Sequence, residues 1–201
     1  NGESERNLHR RFEQVRTGRP SGLLFDEVDA LAARRRDTYA GGGRPLINQF
    51  LVELDGARGN DGVLGLGPTN APRFLDPAFL RPGRFAPIFI APPDADARRE
   101  LLSVLLRHLP TDGADLDAVV ARTQGLSGAD LAEVVERATE ARLDQALRDG
   151  RSAPVTTRDL TRAAKATRPS TAEWFATARS YATFSNESGL YDEVLRHLGE
   201  R

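Results

Sequence analysis

Apolar residues in the first ninety or so positions switch repeatedly between two spacings, and the switching predicts alternating helices and strands. Leu8, Phe12 and Val15 form a helical stripe with Ser4 expected as its cap. Leu23-Leu24-Phe25 then reads as a buried strand. Ile47, Phe50, Leu51 and Leu54 return to helical spacing, and Asp55-Gly56 is the expected stop. Strand-like text follows from Val63 to Thr69 and from Pro87 to Ala91. Short apolar strands alternating with helices imply a parallel sheet covered on both faces. The character changes at Pro92-Pro93, after which every apolar pattern is helical. Asp94 is placed to cap a helix reaching His108, Ser127 one reaching Arg148, and Thr156 or Thr157 another. Further helices are expected near Leu116 to Arg122, Ala172 to Phe184 and Leu190 to Leu198. Two loose stretches, Tyr39 to Pro45 with its three glycines and Ala57 to Gly62, are too short to separate independent domains.

Bulk properties narrow the picture only a little. The 201 residues suit one domain or two small subdomains. With 28 basic and 29 acidic residues the net charge is -1, which gives no global field to gather nucleic acid or anionic lipid. There is no cysteine, so a disulfide framework and a thiolate metal site are excluded, and a reducing, cytoplasmic setting is the expectation. No apolar run is long enough to span a bilayer, and no signal-peptide pattern opens the chain. The absence of methionine and the start at Asn1 suggest a fragment.

Candidate chemistry begins at Leu23-Leu24-Phe25-Asp26-Glu27. An apolar strand ending in two acids sets carboxylates at the carboxyl edge of a parallel sheet, where open α/β folds bind ligands. One acid then suits Mg²⁺ and the next suits a water molecule, although ordinary capping of a following helix gives similar text. With Val28-Asp29-Ala30-Leu31 added, the segment resembles the Walker B strand of AAA ATPases. Thr69-Asn70-Ala71-Pro72 and Leu75 to Phe85, LDPAFLRPGRF, resemble the second region of homology of that family. Gly125-Leu126-Ser127-Gly128-Ala129-Asp130 resembles its second-sensor region, where the lid meets the nucleoside; Ser127 with Asp130 also reads as a plain capping box. Asn48 to Gly56 is similar to the family's helix near the subunit boundary, and the Tyr39 to Arg44 loop either lines a lower pore or merely connects. The Arg168 to Trp174 tail resembles the C-terminal helix of the katanin, spastin and vacuolar-sorting branch, while Trp174, Phe175, Tyr181 and Phe184 read equally well as docking residues.

The resemblance covers nearly the whole chain and implies an α/β fold: a P-loop NTPase-type parallel-sheet core, its N-terminal part missing (residues 1–93), a small helical lid (94–168) and a C-terminal helical extension (169–201). It implies an ATPase that uses ATP and Mg²⁺, assembles as a homo-oligomer, in all expectation a hexameric ring, and works on a protein substrate without nucleic acid. By the same resemblance Asp26 organises Mg²⁺, Glu27 is the base for the attacking water, Asn70 positions that water or senses the γ-phosphate, and Arg81 and Arg84 act in the neighbouring subunit's site. Gly128 and Ala129 line the nucleoside side. Departures stand beside these matches. The sequence contains no G-x-x-x-x-G-K-[ST] segment to cradle phosphates, its only lysine is Lys165, and Gly65-Leu66-Gly67 is no substitute. These 201 residues are therefore expected to be inactive alone. Pro68 stands where a small residue is usual and takes a donor from the end of its strand. A catalytically silent scaffold of the same fold and a nucleic-acid-handling AAA+ ATPase remain as alternatives.

Overall fold

A computed structural model describes residues 2–29, 44–56, 59–186 and 189–199. The chain divides into two compact units, residues 1–88 and 89–201.

In the first unit, helix α1 (Glu3–Thr17) leads to strand β1 (Ser21–Leu24), helix α2 (Arg44–Leu54) and strand β2 (Val63–Leu66). Two short 3-10 turns follow, Pro72–Phe74 and Pro77–Leu80. Gly2 caps α1, with its backbone in the left-handed region at φ 95°, and Ser4, already the second residue of the helix, lies too far in to serve as the cap. β1 and β2 pair in parallel, Ser21 opposite Val63 and Leu24 opposite Leu66. The strand expected from Leu23 to Phe25 thus starts and ends earlier. It is not wholly buried either, because successive side chains face opposite ways. Leu23 turns towards the core, whereas Leu24, Leu64 and Leu66 are exposed on the other face, at 69%, 61% and 52%. The core on the covered face is aromatic: Phe12, Phe50 and Phe79 are buried with Val28 and Ile47, and Phe25 and Phe85 pack against them. Phe50 sits at its centre, with ring centroids 4.6 Å from Phe25 and 5.3 Å from Phe79.

Charge fastens α1 to α2 beside this core. Glu53, 4% exposed, accepts hydrogen bonds from His9 Nδ1, Arg16 Nη1 and Gln49 Nε2, each at 2.7 Å. Burial pushes the Glu53 carboxyl up, but these bonds and the Arg16 charge outweigh it and hold the group below the usual range.

No strand forms from Pro87 to Ala91, contrary to the sequence reading. Pro87 lacks a donor, the segment joins no ladder, and Ile88 and Ile90 are 76% and 82% exposed.

The second unit is helical: α3 (Ala95–Leu106), α4 (Leu116–Val120), α5 (Gly128–Asp149), α6 (Thr157–Ala166), α7 (Ala172–Ser185) and α8 (Asp192–His197). Asp94 and Ser127 cap α3 and α5 as the sequence predicts. Leu102, Leu131, Val134 and Leu160 centre one core; α7 and α8 build another around Ala178, Ala182, Tyr191 and Val194. Trp174 and Phe175 do dock this helix, Trp174 stacked on Phe89 at 6.1 Å and Phe175 edge-on to it at 6.3 Å, but Phe184 stays 82% exposed. No helix among the described residues is long and apolar enough to cross a membrane.

Candidate active site

Beyond the ladder the two strands keep company for several residues. Phe25 N–H donates to the Leu66 carbonyl (2.8 Å) and Val28 N–H to the Pro68 carbonyl (3.3 Å), so the segment holding Asp26 and Glu27 runs beside the one that leads to Asn70. Pro68 gives up a donor yet still contributes its acceptor. Gly67 packs closely here: a Cβ would meet Val28 Cγ1 at 3.3 Å and Phe85 Cζ at 3.5 Å, so the Val28 side chain would have to give by a few tenths of an ångström. That packing gives Gly65-Leu66-Gly67 a structural purpose unrelated to phosphate. Glu27 takes a left-handed turn, φ 49°, directly before buried Val28, which anchors the turn while both carboxylates remain exposed.

Asn70, also exposed, is fixed by its neighbours. Thr69 Oγ1 donates to Asp29 Oδ1 at 2.5 Å and accepts from Ala71 N–H at 3.0 Å. This brace ties the residue before Asn70 to the acidic segment. Asp26, Glu27 and Asn70 therefore gather at the carboxyl edge of one parallel strand pair. Asp29 and Thr69 were visible in the sequence only as motif text, and no spacing signal marks them as partners.

Arg81 and Arg84 lie on the element that follows the second 3-10 turn. Asp76 caps that turn through Ala78 N–H, and the loop closes by Phe85 N–H to the Phe79 carbonyl (3.0 Å), so two core phenylalanines bracket the arginines. Arg81 is exposed. Arg84 is not: its side chain is 11% exposed, Nε and Nη2 reach both Asp55 oxygens at 2.5 and 2.7 Å, and Nη1 donates to the Ala78 carbonyl at 2.5 Å. Hydrogen bonding to Arg84, with the charges of Arg84 and Arg81, holds the Asp55 carboxyl below its ordinary range. Asp55 reads in the sequence as half of a helix-stopping Asp-Gly; its bond to Arg84 spans 29 positions and leaves no local trace.

In the second unit Gly128 and Ala129 are exposed at the start of α5. Ser127 Oγ accepts from Asp130 N–H and buried Asp130 accepts from Ser127 N–H, completing the capping box. Asp130 also receives Ser170 N–H at 3.2 Å, which pins the chain after α6 to this helix start. Of the expected lower-pore loop, Tyr39 to Arg44, residues 39–43 lie outside the described residues and Arg44 opens α2.

ATP with Mg²⁺ fits this donor set in part. Exposed carboxylates beside an amide suit a hydrated divalent ion and a water, because Mg²⁺ keeps several waters and takes one or two carboxylates. Nothing in the sequence supplies the phosphate cradle.

Known proteins resemble this chain in sequence and in fold. Residues 1–93 match the family described as "ATPase family associated with various cellular activities (AAA)", and residues 113–162 match the AAA+ lid domain. The chain is 41% identical over 170 residues to cell division control protein 48 homolog C of Arabidopsis thaliana, covering 83% of this chain and 21% of that protein. It is 43% identical over 133 residues to the ATP-dependent zinc metalloprotease FtsH of Photobacterium profundum, covering 63% and 19%. It thus spans about a fifth of the length of these relatives. The crystal structure of the FIGL-1 AAA domain in complex with ADP superposes with a TM-score of 0.74 at 26% identity, over 90% of this chain and 63% of that one. An α/β core ending in paired acids beside Asn70, a helical lid, and both family matches lead to one assignment: the chain belongs to the AAA ATPase family.

Proposed function

We propose that the protein carrying this chain hydrolyses ATP in a ring of identical subunits, in the form of a hexamer, and converts turnover into remodelling or threading of protein substrates. The observation that carries the reading is the meeting of Asp26, Glu27 and Asn70 at one sheet edge, within the segment matched to the family. Asp26 would hold Mg²⁺. The ion, when bound, neutralises charge on the phosphates during transfer. Glu27 takes a proton from water, and Asn70 orients that water. Arg81 and Arg84 serve the adjacent subunit, where a guanidinium offsets charge that develops in the transition state. Gly128 and Ala129, at a helix start whose first amides lack internal partners, take the nucleoside side. Residues 94–168 then act as the lid and 169–201 as its extension.

The 201 residues alone should not turn over ATP, because they lack the G-x-x-x-x-G-K-[ST] segment. That same observation favours the second reading, a silent scaffold of the AAA fold. Glu27→Gln in the full-length protein separates the two. On the ATPase reading the variant still binds ATP but stops hydrolysis, since an amide cannot accept the proton. A parent protein that neither binds nor hydrolyses ATP supports the scaffold, and a Glu27→Gln variant with normal turnover removes Glu27 as the base.

A further inference from the structure

A helix of 22 residues such as α5 gathers positive partial charge at its N-terminus, which ordinarily makes that end a seat for an anion. Here the seat is filled from within. Asp130, 3% exposed, turns its carboxylate back over the helix start and accepts Ser127 N–H at 2.8 Å and Ser170 N–H at 3.2 Å. Burial pushes this carboxyl up, but the bonds from Ser127 and Ser170 outweigh it and hold the group below the usual range. What stays open at the helix start is small and neutral. Gly128 and Ala129 are exposed, and the partly exposed Leu101 of α3 lies 4.0 Å from where a Cβ on Gly128 would stand. That surface suits a flat uncharged group better than a phosphate.

Asp130 does more than cap. The matching acid of α6, Asp159, sits in the same kind of capping box with Thr156, and its charge is met by Arg142 Nε at 2.6 Å. Among the described residues no cation pairs with Asp130, and two backbone amides 43 positions apart share its charge instead. An asparagine could satisfy one of these amides but would turn its own NH₂ towards the other. The second amide belongs to the chain that opens the C-terminal extension. Ser170 Oγ lies 3.3 Å from Ser127 Oγ, Pro169 Cγ lies 4.0 Å from where a Cβ on Gly125 would stand, and Thr171 is already the N-cap of α7. Movement of α7 is therefore felt at the start of α5.

We propose that Asp130 is a positioning residue for the nucleoside: by joining the Ser127 and Ser170 amides it fixes the Gly128-Ala129 step against the C-terminal extension, so that nucleotide affinity depends on how that extension is held. The inference rests on the reading that Gly128 and Ala129 take the nucleoside side. It concerns binding, since the chemical step is assigned to Glu27, Asn70 and the arginines.

The test measures ADP affinity and steady-state ATP turnover of the full-length protein carrying Asp130→Asn, Ser170→Pro, both together, Asp159→Asn or Ala129→Leu, with melting temperature followed in each. Ser170→Pro removes only the amide donor. Ser170 and Thr171 form a turn closed by Ala172 N–H to the Pro169 carbonyl, and proline suits the first of its two central positions. Asp130→Asn and Ser170→Pro should each raise Kd for ADP and KM for ATP by at least about fivefold, while kcat stays within about twofold. The double variant should bind no more weakly than the weaker single one, because its second change breaks a bond already lost. Asp159→Asn, which breaks the other capping box, should lower the melting temperature and leave affinity unchanged. Unchanged affinity in Ser170→Pro overturns the proposal, and so does an equal loss in Asp159→Asn, which would make the effect one of general stability. If Asp130→Asn does not fold, Ser170→Pro alone decides. Normal nucleotide affinity in Ala129→Leu, or a parent protein that binds no nucleotide, removes the nucleoside reading itself and the proposal with it.

Discussion

Phe50→Ala removes the ring about which the candidate site residues of the first unit are assembled. Phe50 is fully buried and its ring lies 4.6 Å from Phe25, 5.3 Å from Phe79, 6.1 Å from Phe85 and 6.2 Å from Phe12. Phe25 directly precedes Asp26, and Phe79 and Phe85 bracket Arg81 and Arg84, so one cavity would loosen both halves of the site. Truncation of a buried phenylalanine costs about 3–5 kcal/mol through lost transfer energy and the cavity left behind. The upper half of that range applies, since each edge-to-face neighbour adds about 0.5–1.5 kcal/mol beyond its area. For a chain of this length each kcal/mol lowers the melting temperature by about 2–4 °C, so a fall of roughly 8–20 °C is expected. Amide exchange localises the effect: Phe25 N–H, bonded to Leu66, and Phe85 N–H, bonded to Phe79, should lose protection together. A loss under about 1 kcal/mol, or protection lost at one amide and retained at the other, would refute the idea that a single aromatic core sets both segments.

Thr69→Val deletes the bond to Asp29 at nearly constant volume and should cost about 1 kcal/mol in stability; turnover of the assembled protein should fall while Thr69→Ser retains it. If Val and Ser behave alike in steady-state kinetics, the brace does not position Asn70. Acid should weaken the fold in a defined window. Glu53, Asp130 and Asp159 are each pushed up by burial and held down more strongly by their hydrogen bonds, so their folded values lie below ordinary ones of 4.5 and 3.8. A depressed carboxylate contributes stability above its unfolded value and loses it as pH falls through the folded value. The urea midpoint should therefore be level from neutrality to pH of about 5 and decline below about 4.5. Glu53→Gln should be less stable at neutral pH and lose less on acidification; a decline as steep as the parent's would contradict the assignment.

Helix positions and the caps Asp94 and Ser127 were legible because their signals are local, whereas Ser4 was misplaced and Gly2 caps α1. Asp94, Ser127 and the 3.6-residue stripe through Ile47, Phe50 and Leu54 are decided within a few residues of themselves. Strand extents were not legible, since a strand is defined by its partner. Val63 to Thr69 reads as one strand, yet β2 ends at Leu66, and Pro87 to Ala91 finds no ladder at all. Motif text placed the candidate site residues on the chain, and the parallel pairing brought Asp26, Glu27 and Asn70 to one edge. Their supports stayed hidden. Asp55 with Arg84 and Asp29 with Thr69 join residues 29 and 40 positions apart, and no periodicity predicts which acid meets which donor.

Mixing two inactive proteins tests the central claim most directly. In full-length protein, Glu27→Gln subunits lack the base and Arg84→Ala subunits lack the group offered to a neighbour, so neither should turn over ATP alone. Combined in one ring, some interfaces pair an intact Glu27 with an intact Arg84 from the next subunit. The account predicts that ATPase activity reappears on mixing, is greatest near equal ratios, and vanishes again when either variant is in large excess. Mixed rings that form but stay inactive at every ratio would contradict it, as would a monomeric protein whose turnover still depended on Arg84.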